Sequence, residues 1–152
     1  MADIKLRPAT KSDVRIIYEW RNDPVARMNY FNTDIVSYNE HMIWYCNTLE
    51  DSTKKIYILC NENENIGQVR FSIKDCVAEI SYYISTEYRG KGMATLMLKL
   101  GEEELLKYHK KIILRAEVKK NNMASICVFK KLNYDEIGND NQINVFEKKI
   151  SR

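Results

Sequence analysis

The chain is poor in the residues that build metal centres, disulfide frameworks and membrane spans. Its two histidines show no ligand spacing with any of its four cysteines, and no two cysteines form a C-x-x-C pair, so we expect no metal site and free, buried thiols. No apolar run approaches the roughly 18 residues of a membrane span. The N-terminal Met-Ala-Asp-Ile-Lys also lacks the charged-then-apolar pattern of a signal peptide. We therefore expect a cytoplasmic protein with no membrane partner and with reduced cysteines.

Charge and length narrow the class further. The net charge of +3 is small and dispersed along the 152 residues, which argues against a nucleic-acid partner. This length favours one domain with a sizeable core, and the chain shows neither a linker nor a repeat. We therefore predict a single domain over residues 1–152.

A stretch in the middle of the chain combines a strand, a glycine loop and a helix start. Residues 78–85 alternate between apolar and polar with period two, and from Met93 onward apolar residues recur at helical spacing. Between them lies Arg89-Gly90-Lys91-Gly92. Glycines at such a junction let backbone N–H groups approach a ligand, and a helix N-terminus with two basic side chains favours phosphate. The alternative is a tight turn with basic residues on the surface.

The loop matches neither of two common phosphate-binding patterns. Gly92 is followed by Met-Ala-Thr, so there is no G-x-x-x-x-G-K-S/T, and Thr95 stands where G-x-G-x-x-G needs its third glycine. Instead Arg89, Gly92 and Ala94 form R-x-x-G-x-A, which resembles the acyl-CoA pyrophosphate loop of the GNAT N-acetyltransferase superfamily. The resemblance implies that acetyl-CoA, the expected co-substrate, is held by Ile84, Ser85, Arg89, Gly90, Lys91, Gly92, Met93, Ala94 and Thr95.

A second segment, about 30 residues further on, strengthens the resemblance. Asn122, Ser125 and Phe129 fall in the register of the GNAT pattern N-x-x-A/S-x-x-x-Y/F-x-K-L, whose residues hold the pantetheine and adenosine parts of CoA in family members. The alternative is an amphipathic helix capped by Asn122. Phe129 departs from the many members that have Tyr there as the general acid, because Phe cannot donate a proton.

Hydrophobic periodicity predicts the order β–α–α–β–β–β–α–β–α–β–β. This order resembles the GNAT fold, an α/β fold with a mixed central sheet of about seven strands flanked by four helices. Residues 24–36 are predicted to be irregular, since Asn22-Asp23-Pro24 is expected to stop the first helix.

The resemblance implies an enzyme that transfers acetyl from acetyl-CoA to a primary amine by direct attack. Two strands are expected to part near Tyr83–Ser85 to admit the pantetheine. Glu79 is the leading candidate for the general base, with Tyr82 or Tyr83 as a proton relay and His41 as a third candidate. A solvent-facing Glu79 and a structural His41 are the alternatives.

We predict that Trp20, Arg21, Asn22 and His41 bind the acceptor. The stretches Glu19–Pro24 and Glu40–Trp44, which contain them, resemble a GNAT subgroup that acetylates amino groups on nucleotide-linked sugars, as in pseudaminic acid biosynthesis. Arg21 could clamp a phosphate and Asn22 could bond hydroxyls, while Trp20 could stack on a base or sugar. The alternatives are a ribosomal-protein N-terminal or small-amine acetyltransferase and a non-catalytic acyl-CoA-binding module. A monomer or homodimer is expected.

Overall fold

The computed structural model describes residues 3–152. Its strands are β1 Lys5–Pro8, β2 Lys54–Cys60, β3 Asn65–Lys74, β4 Val77–Ile84, β5 Lys111–Lys119, β6 Asp135–Asn139 and β7 Ile143–Ser151. Its α-helices are α1 Val14–Arg21, α2 Pro24–Asn29, α3 Tyr38–Glu50, α4 Met93–Tyr108 and α5 Met123–Lys131. Short 3-10 turns, Lys11–Asp13 and Thr86–Tyr88, precede α1 and follow β4.

The seven strands form one mixed sheet in the order β1-β2-β3-β4-β5-β7-β6. Every neighbouring pair is antiparallel except β4 and β5, which are parallel. This central parallel pair is joined through α4, because parallel strands need a crossover connection. The predicted α/β fold with a mixed sheet of about seven strands is confirmed.

The β4–β5 pair separates soon after it forms. Its register comprises only Val77 with Ile113, Ala78 with Leu114, and Glu79 with Arg115. From Ile80 onward β4 pairs with β3 alone, so its backbone groups that face β5 have no strand partner. The sheet therefore opens between the two strands beyond Glu79, and it is already open at Tyr83–Ser85, where the family resemblance implied the parting.

Both faces of the sheet are covered, and each has its own core cluster. Tyr57 and Leu59 of β2 pack in the larger cluster, which includes residues of α4 and α5, while Ile56 and Ile58 pack in the cluster that includes residues of α1 and α3. A strand buried on both faces is apolar throughout rather than alternating. Each fully buried aliphatic or aromatic side chain contributes about 1.5–3 kcal/mol, which anchors the helices to the sheet.

Two predictions about local structure were wrong. Residues 24–36 are not wholly irregular, because Pro24 begins α2 and brings the α-helices to five. Asp23 caps α2 by accepting the backbone N–H of Val25 at 3.0 Å, and proline suits the first turn because its missing N–H would be unpaired there. All four cysteines are free, but Cys76 and Cys127 are exposed.

Within residues 3–152, no helix combines the length and apolar character needed to cross a membrane.

Candidate active site

The loop between β4 and α4 has the geometry of an anion cradle. Gly90 and Gly92 adopt left-handed backbone conformations, with φ of 74° and 79°. A Cβ placed at either glycine would meet no heavy atom within 4 Å, so both glycines face open space. Helix α4 begins at Met93, and the first N–H groups of a helix have no partner within it. The residues of this loop therefore fit a pyrophosphate group.

Arg89, predicted to bind the cofactor, is engaged by the protein itself. Its Nη2 donates to Asp23 Oδ2 at 2.8 Å and its Nε donates to the Ile84 carbonyl at 2.9 Å. The guanidinium also lies 5.2 Å from the ring centre of Tyr83. These contacts tie the start of the glycine loop to the α1–α2 corner. A cofactor contact by Arg89 stays a prediction.

The start of α5 lies against the parted strand β4. Asn122 caps the helix by accepting the Ser125 backbone N–H at 3.3 Å. The Ser125 hydroxyl is 2.5 Å from the Tyr82 hydroxyl, and the ring centres of Tyr82 and Phe129 are 6.1 Å apart. The second predicted segment and the strand that parts therefore meet at one corner.

This corner opens into a cleft of about 640 Å³ on the α1–α3 side of the sheet. Its lining includes Glu79, Tyr82, Asn122, Ser125 and Phe129. Glu79 occupies the last paired position before β4 and β5 part. Its side chain is 52% exposed, so it also faces solvent, and it forms an ion pair with Arg115 at 3.4 Å. Partial burial raises the pKa of its carboxyl, although the charge of Arg115 opposes this. A carboxylate at this point is placed to accept a proton in the cleft.

Two guanidinium groups also line the cleft. Arg21 Nη2 donates to the Asn32 carbonyl at 3.2 Å and the group lies over the Tyr30 ring, while Nη1 is buried with no hydrogen-bond partner among the described residues. Arg70 of β3 lies over Trp44, 5.1 Å from its ring centre. Burial lowers the pKa of Arg70, Tyr30 opposes this, and the nearby charge of Arg21 adds to it. The two like charges are therefore close enough to affect each other.

His41 reaches the same cleft but is only 1% exposed. Its Nε2 is 3.2 Å from the Val14 carbonyl and its ring stacks on Tyr45. Since a carbonyl only accepts hydrogen bonds, Nε2 carries the proton and Nδ1 is the free acceptor. Burial lowers the pKa of His41, so the neutral form dominates near pH 7.

The predicted cofactor residues between Ile84 and Thr95 lie outside the cleft lining, and so do three of the predicted catalytic and acceptor-binding residues. Trp20 and Tyr83 pack on each other in the α1–α3 core cluster, with ring centres 5.4 Å apart. The Tyr83 hydroxyl donates to Asp23 at 2.6 Å, and burial raises the pKa of the phenol. Asn22 exchanges two hydrogen bonds with the Val36 backbone, at 2.9 and 3.0 Å. Trp20, Tyr83 and Asn22 therefore make contacts that stabilise the fold. Of the predicted acceptor-binding residues, Arg21 and His41 line the cleft.

Sequence reasoning missed Arg70 and Glu117, which both line the cleft. Arg70 lies between Gln68 and Ser72 on one polar face of β3. That polar face belongs to a strand in the interior of the sheet. A polar face on an interior strand is the signal that could have indicated a cleft wall.

Among residues 3–152, no three His, Cys, Asp or Glu side chains come together as a metal-binding group. The cleft lining includes carboxylate, hydroxyl and guanidinium groups.

A glycine cradle at a helix N-terminus, beside two strands that part, defines an enzyme of the acyl-CoA-dependent transferase class. The model of the "Acetyltransferase (GNAT) domain" family matches residues 3–135. The chain belongs to the GNAT acetyltransferase family, and its co-substrate is acetyl-CoA.

Three similar proteins differ in the acceptor that their names give. Spermidine N(1)-acetyltransferase of Escherichia coli is 26% identical over 89% of this chain and 74% of its own length. Acetyltransferase PseH of Campylobacter jejuni is 25% identical over 82% of this chain and 80% of its own. The structure of RimL, a ribosomal-protein α-N-acetyltransferase, in complex with coenzyme A superposes with a TM-score of 0.83 at 16% identity, covering 97% and 94%. The acceptor thus follows from none of them.

Gly92→Ala is expected to weaken acetyl-CoA binding about 5- to 30-fold. Alanine would leave the left-handed conformation in the free loop, returning to it on binding costs about 1–2 kcal/mol, and its methyl group would enter the open cradle. Isothermal titration calorimetry measures the Kd. Gly138→Ala is the matched control, because Gly138 lies in β6 with a negative φ and open space around it. An unchanged Kd for Gly92→Ala would contradict the cradle.

Proposed function

We propose that the chain acetylates a primary amine on a nucleotide-linked amino sugar, the amine attacking acetyl-CoA directly. The observation that supports this acceptor is the pair Arg21 and Arg70 in the lining of the cleft. Among residues 3–152, neither guanidinium has a carboxylate within the 4.0 Å of an ion pair. An anion supplied by the acceptor would give both guanidinium groups a partner.

The unpaired guanidinium groups favour an anionic ligand on energetic grounds. Arg21 and Arg70 are half-buried. A charge partly withdrawn from water without an ionic partner costs free energy, and an arginine does not escape this cost by losing its proton. A diphosphate supplies oxygens that accept bidentate hydrogen bonds from guanidinium groups. Tyr30 and Trp44, which already stack on the two arginines, add flat surfaces for a sugar or base.

The cleft also suits the amine. Glu79 and Glu117 line it where β4 and β5 part. Both carboxylates attract an ammonium, and Glu79 accepts its proton. Backbone groups of β4 from Ile80 onward, unpaired toward β5, are available to polarise the acetyl carbonyl. The cleft therefore offers groups for both an amine and an anion of the acceptor.

This charge pattern fits the other acceptors less well. A polyamine is cationic along its length, so it would be repelled by Arg21 and Arg70 in the cleft lining. A protein N-terminus supplies the amine but no required anion for Arg21 and Arg70. A cytoplasmic location, where activated sugars and acetyl-CoA are both available, goes with the proposal.

Substitution of the arginines tests the proposal. Arg70→Ala and Arg21→Ala should each raise the KM for a UDP-linked amino sugar about 10- to 100-fold, since a hydrogen bond to a charged group contributes about 1.5–3 kcal/mol. The KM for acetyl-CoA should stay within about twofold. Thiol release from acetyl-CoA reports both constants.

Arg15→Ala is the matched control, because Arg15 also lies on α1 but stacks on Tyr38 outside the cleft lining. If neither cleft arginine changes the KM for the UDP-linked sugar relative to this control, the acceptor assignment fails. If acetyl-CoA raises the Tm but no amine releases thiol, the chain is an acyl-CoA-binding module.

A further inference from the structure

CoA leaves as a thiol once its sulfur gains a proton, and position 129 has none to give. The Phe129 ring is 1% exposed and packs against Tyr134 and Phe146, with ring centres 5.0 and 5.7 Å away. An aromatic ring without a hydroxyl leaves this part of the cleft wall apolar. Assistance from the protein therefore has to come from a neighbouring group.

Tyr82 brings a hydroxyl to the same corner from the opposite strand. It lies three residues beyond Glu79, the last β4 residue that pairs with β5. Its ring meets Phe129 edge-on, at 6.1 Å and 68°, and both residues line the cleft. A phenol at this place lies beside the opening between β4 and β5 and faces the cleft.

Ser125 fixes the direction of this phenol. The two hydroxyl oxygens are 2.5 Å apart, and either can be the donor. Ser125 is itself held in the first turn of α5 by the Asn122 cap. The cap thus positions Ser125, and Ser125 positions Tyr82.

We propose that Tyr82 is the general acid that protonates the departing CoA thiolate, with Ser125 as its positioning residue. The inference rests on the acetyl transfer common to the family and not on the nature of the acceptor. Its failure would therefore leave the assignment of the amino-sugar nucleotide untouched.

The protons balance in this step. The C–N bond to the amine forms and the C–S bond breaks, so nitrogen must lose one proton and sulfur must gain one. Glu79 accepts the amine proton and releases it to water, while the Tyr82 phenol protonates the sulfur and regains a proton from water in the cleft. Burial raises the pKa of the Tyr82 phenol, so the phenol is protonated near pH 7 and has a proton to donate.

Tyr82→Phe tests the assignment. Its kcat should fall about 10- to 100-fold, the low end of general acid–base effects because a thiol of pKa ~8.5 is already a fair leaving group. The KM for acetyl-CoA should change less than about threefold. Adding Phe129→Tyr to Tyr82→Phe should raise kcat at least about tenfold above that of Tyr82→Phe alone, because it returns a hydroxyl to the same corner.

Tyr134→Phe is the matched control, since Tyr134 also packs on Phe129 but directs its hydroxyl to Glu102 at 3.2 Å. Its kcat should stay within about threefold of the wild-type value. An unchanged kcat for Tyr82→Phe, a loss no larger than that of Tyr134→Phe, or a folded double variant without recovery would overturn the proposal. If Tyr82→Phe does not fold, Ser125→Ala replaces it and is expected to lose kcat rather than acetyl-CoA affinity.

Discussion

Glu79→Gln is expected to lower kcat about 100- to 10,000-fold, the range typical of a lost general base. The amide keeps the size of the side chain but cannot accept the amine proton. The KM for acetyl-CoA should change little, because Glu79 lies at the parting of β4 and β5 while the glycine cradle begins after β4. Steady-state thiol release gives both constants.

The pH profile adds a second test of the same residue. Burial raises the pKa of Glu79, with Arg115 opposing, and a base works only when it is deprotonated. The acidic limb of kcat/KM should therefore lie above the pH expected for an ordinary glutamate and vanish in Glu79→Gln. Glu117→Gln, the neighbouring carboxylate in the cleft, is the control and should keep the limb. Retention of the limb and of kcat in Glu79→Gln would remove Glu79 from the mechanism.

Asp23→Asn is expected to destabilise the fold by about 1.5–3 kcal/mol, the range for hydrogen bonds to a charged group. Its Oδ2 accepts from Tyr83 and Arg89 at 2.6 and 2.8 Å, and its Oδ1 caps α2 through the Val25 N–H. The carboxylate therefore joins β4, the glycine loop and the α1–α2 corner. Thermal unfolding should show a Tm lower by roughly 3–12 °C.

The effect of Asp23 should depend on pH with a defined sign. Burial would raise the pKa of Asp23, but hydrogen bonds from Tyr83 and Arg89 outweigh it and the pKa is lowered. A lowered folded-state pKa adds stability above the unfolded value of about 3.9, and this stability is lost as the pH falls through the folded pKa. The gap between wild type and Asp23→Asn should therefore narrow in acid.

Asp140→Asn is the control for Asp23, since Asp140 accepts two backbone N–H groups in an exposed turn. Its Tm should change much less. Equal Tm values for Asp23→Asn and Asp140→Asn would show that Asp23 does not join these elements.

The sequence predicted those features that depend on local pattern. Alternation at Ala78, Ile80 and Tyr82 placed β4, and Gly90 and Gly92 placed the loop that follows it, because strand period and left-handed turns are properties of a few adjacent residues. The family resemblance then predicted that the strands form one mixed central sheet. The same local reasoning failed at Pro24, where a residue that ends one helix also begins the next.

Contacts between distant residues escaped prediction for a physical reason. Asp23 meets Tyr83 and Arg89 across 60 and 66 positions of sequence, and only the folded sheet brings them together. Arg70 occupies an ordinary polar position of an alternating strand. It becomes a cleft residue because the elements that line the cleft beside it, including α1 and α3, cover that face of β3.

Acceptor choice is measured most directly with a matched pair of amines: a UDP-linked amino sugar and the same amino sugar without its nucleotide. The initial rate of CoA thiol release should give a kcat/KM at least about tenfold higher for the UDP-linked compound, corresponding to about 1.4 kcal/mol or more from the anion. Arg70→Ala should abolish that difference, and spermidine should react more slowly than the UDP-linked sugar. Equal kcat/KM values for the two sugars, or faster acetylation of spermidine, would contradict the assignment of a nucleotide-linked acceptor.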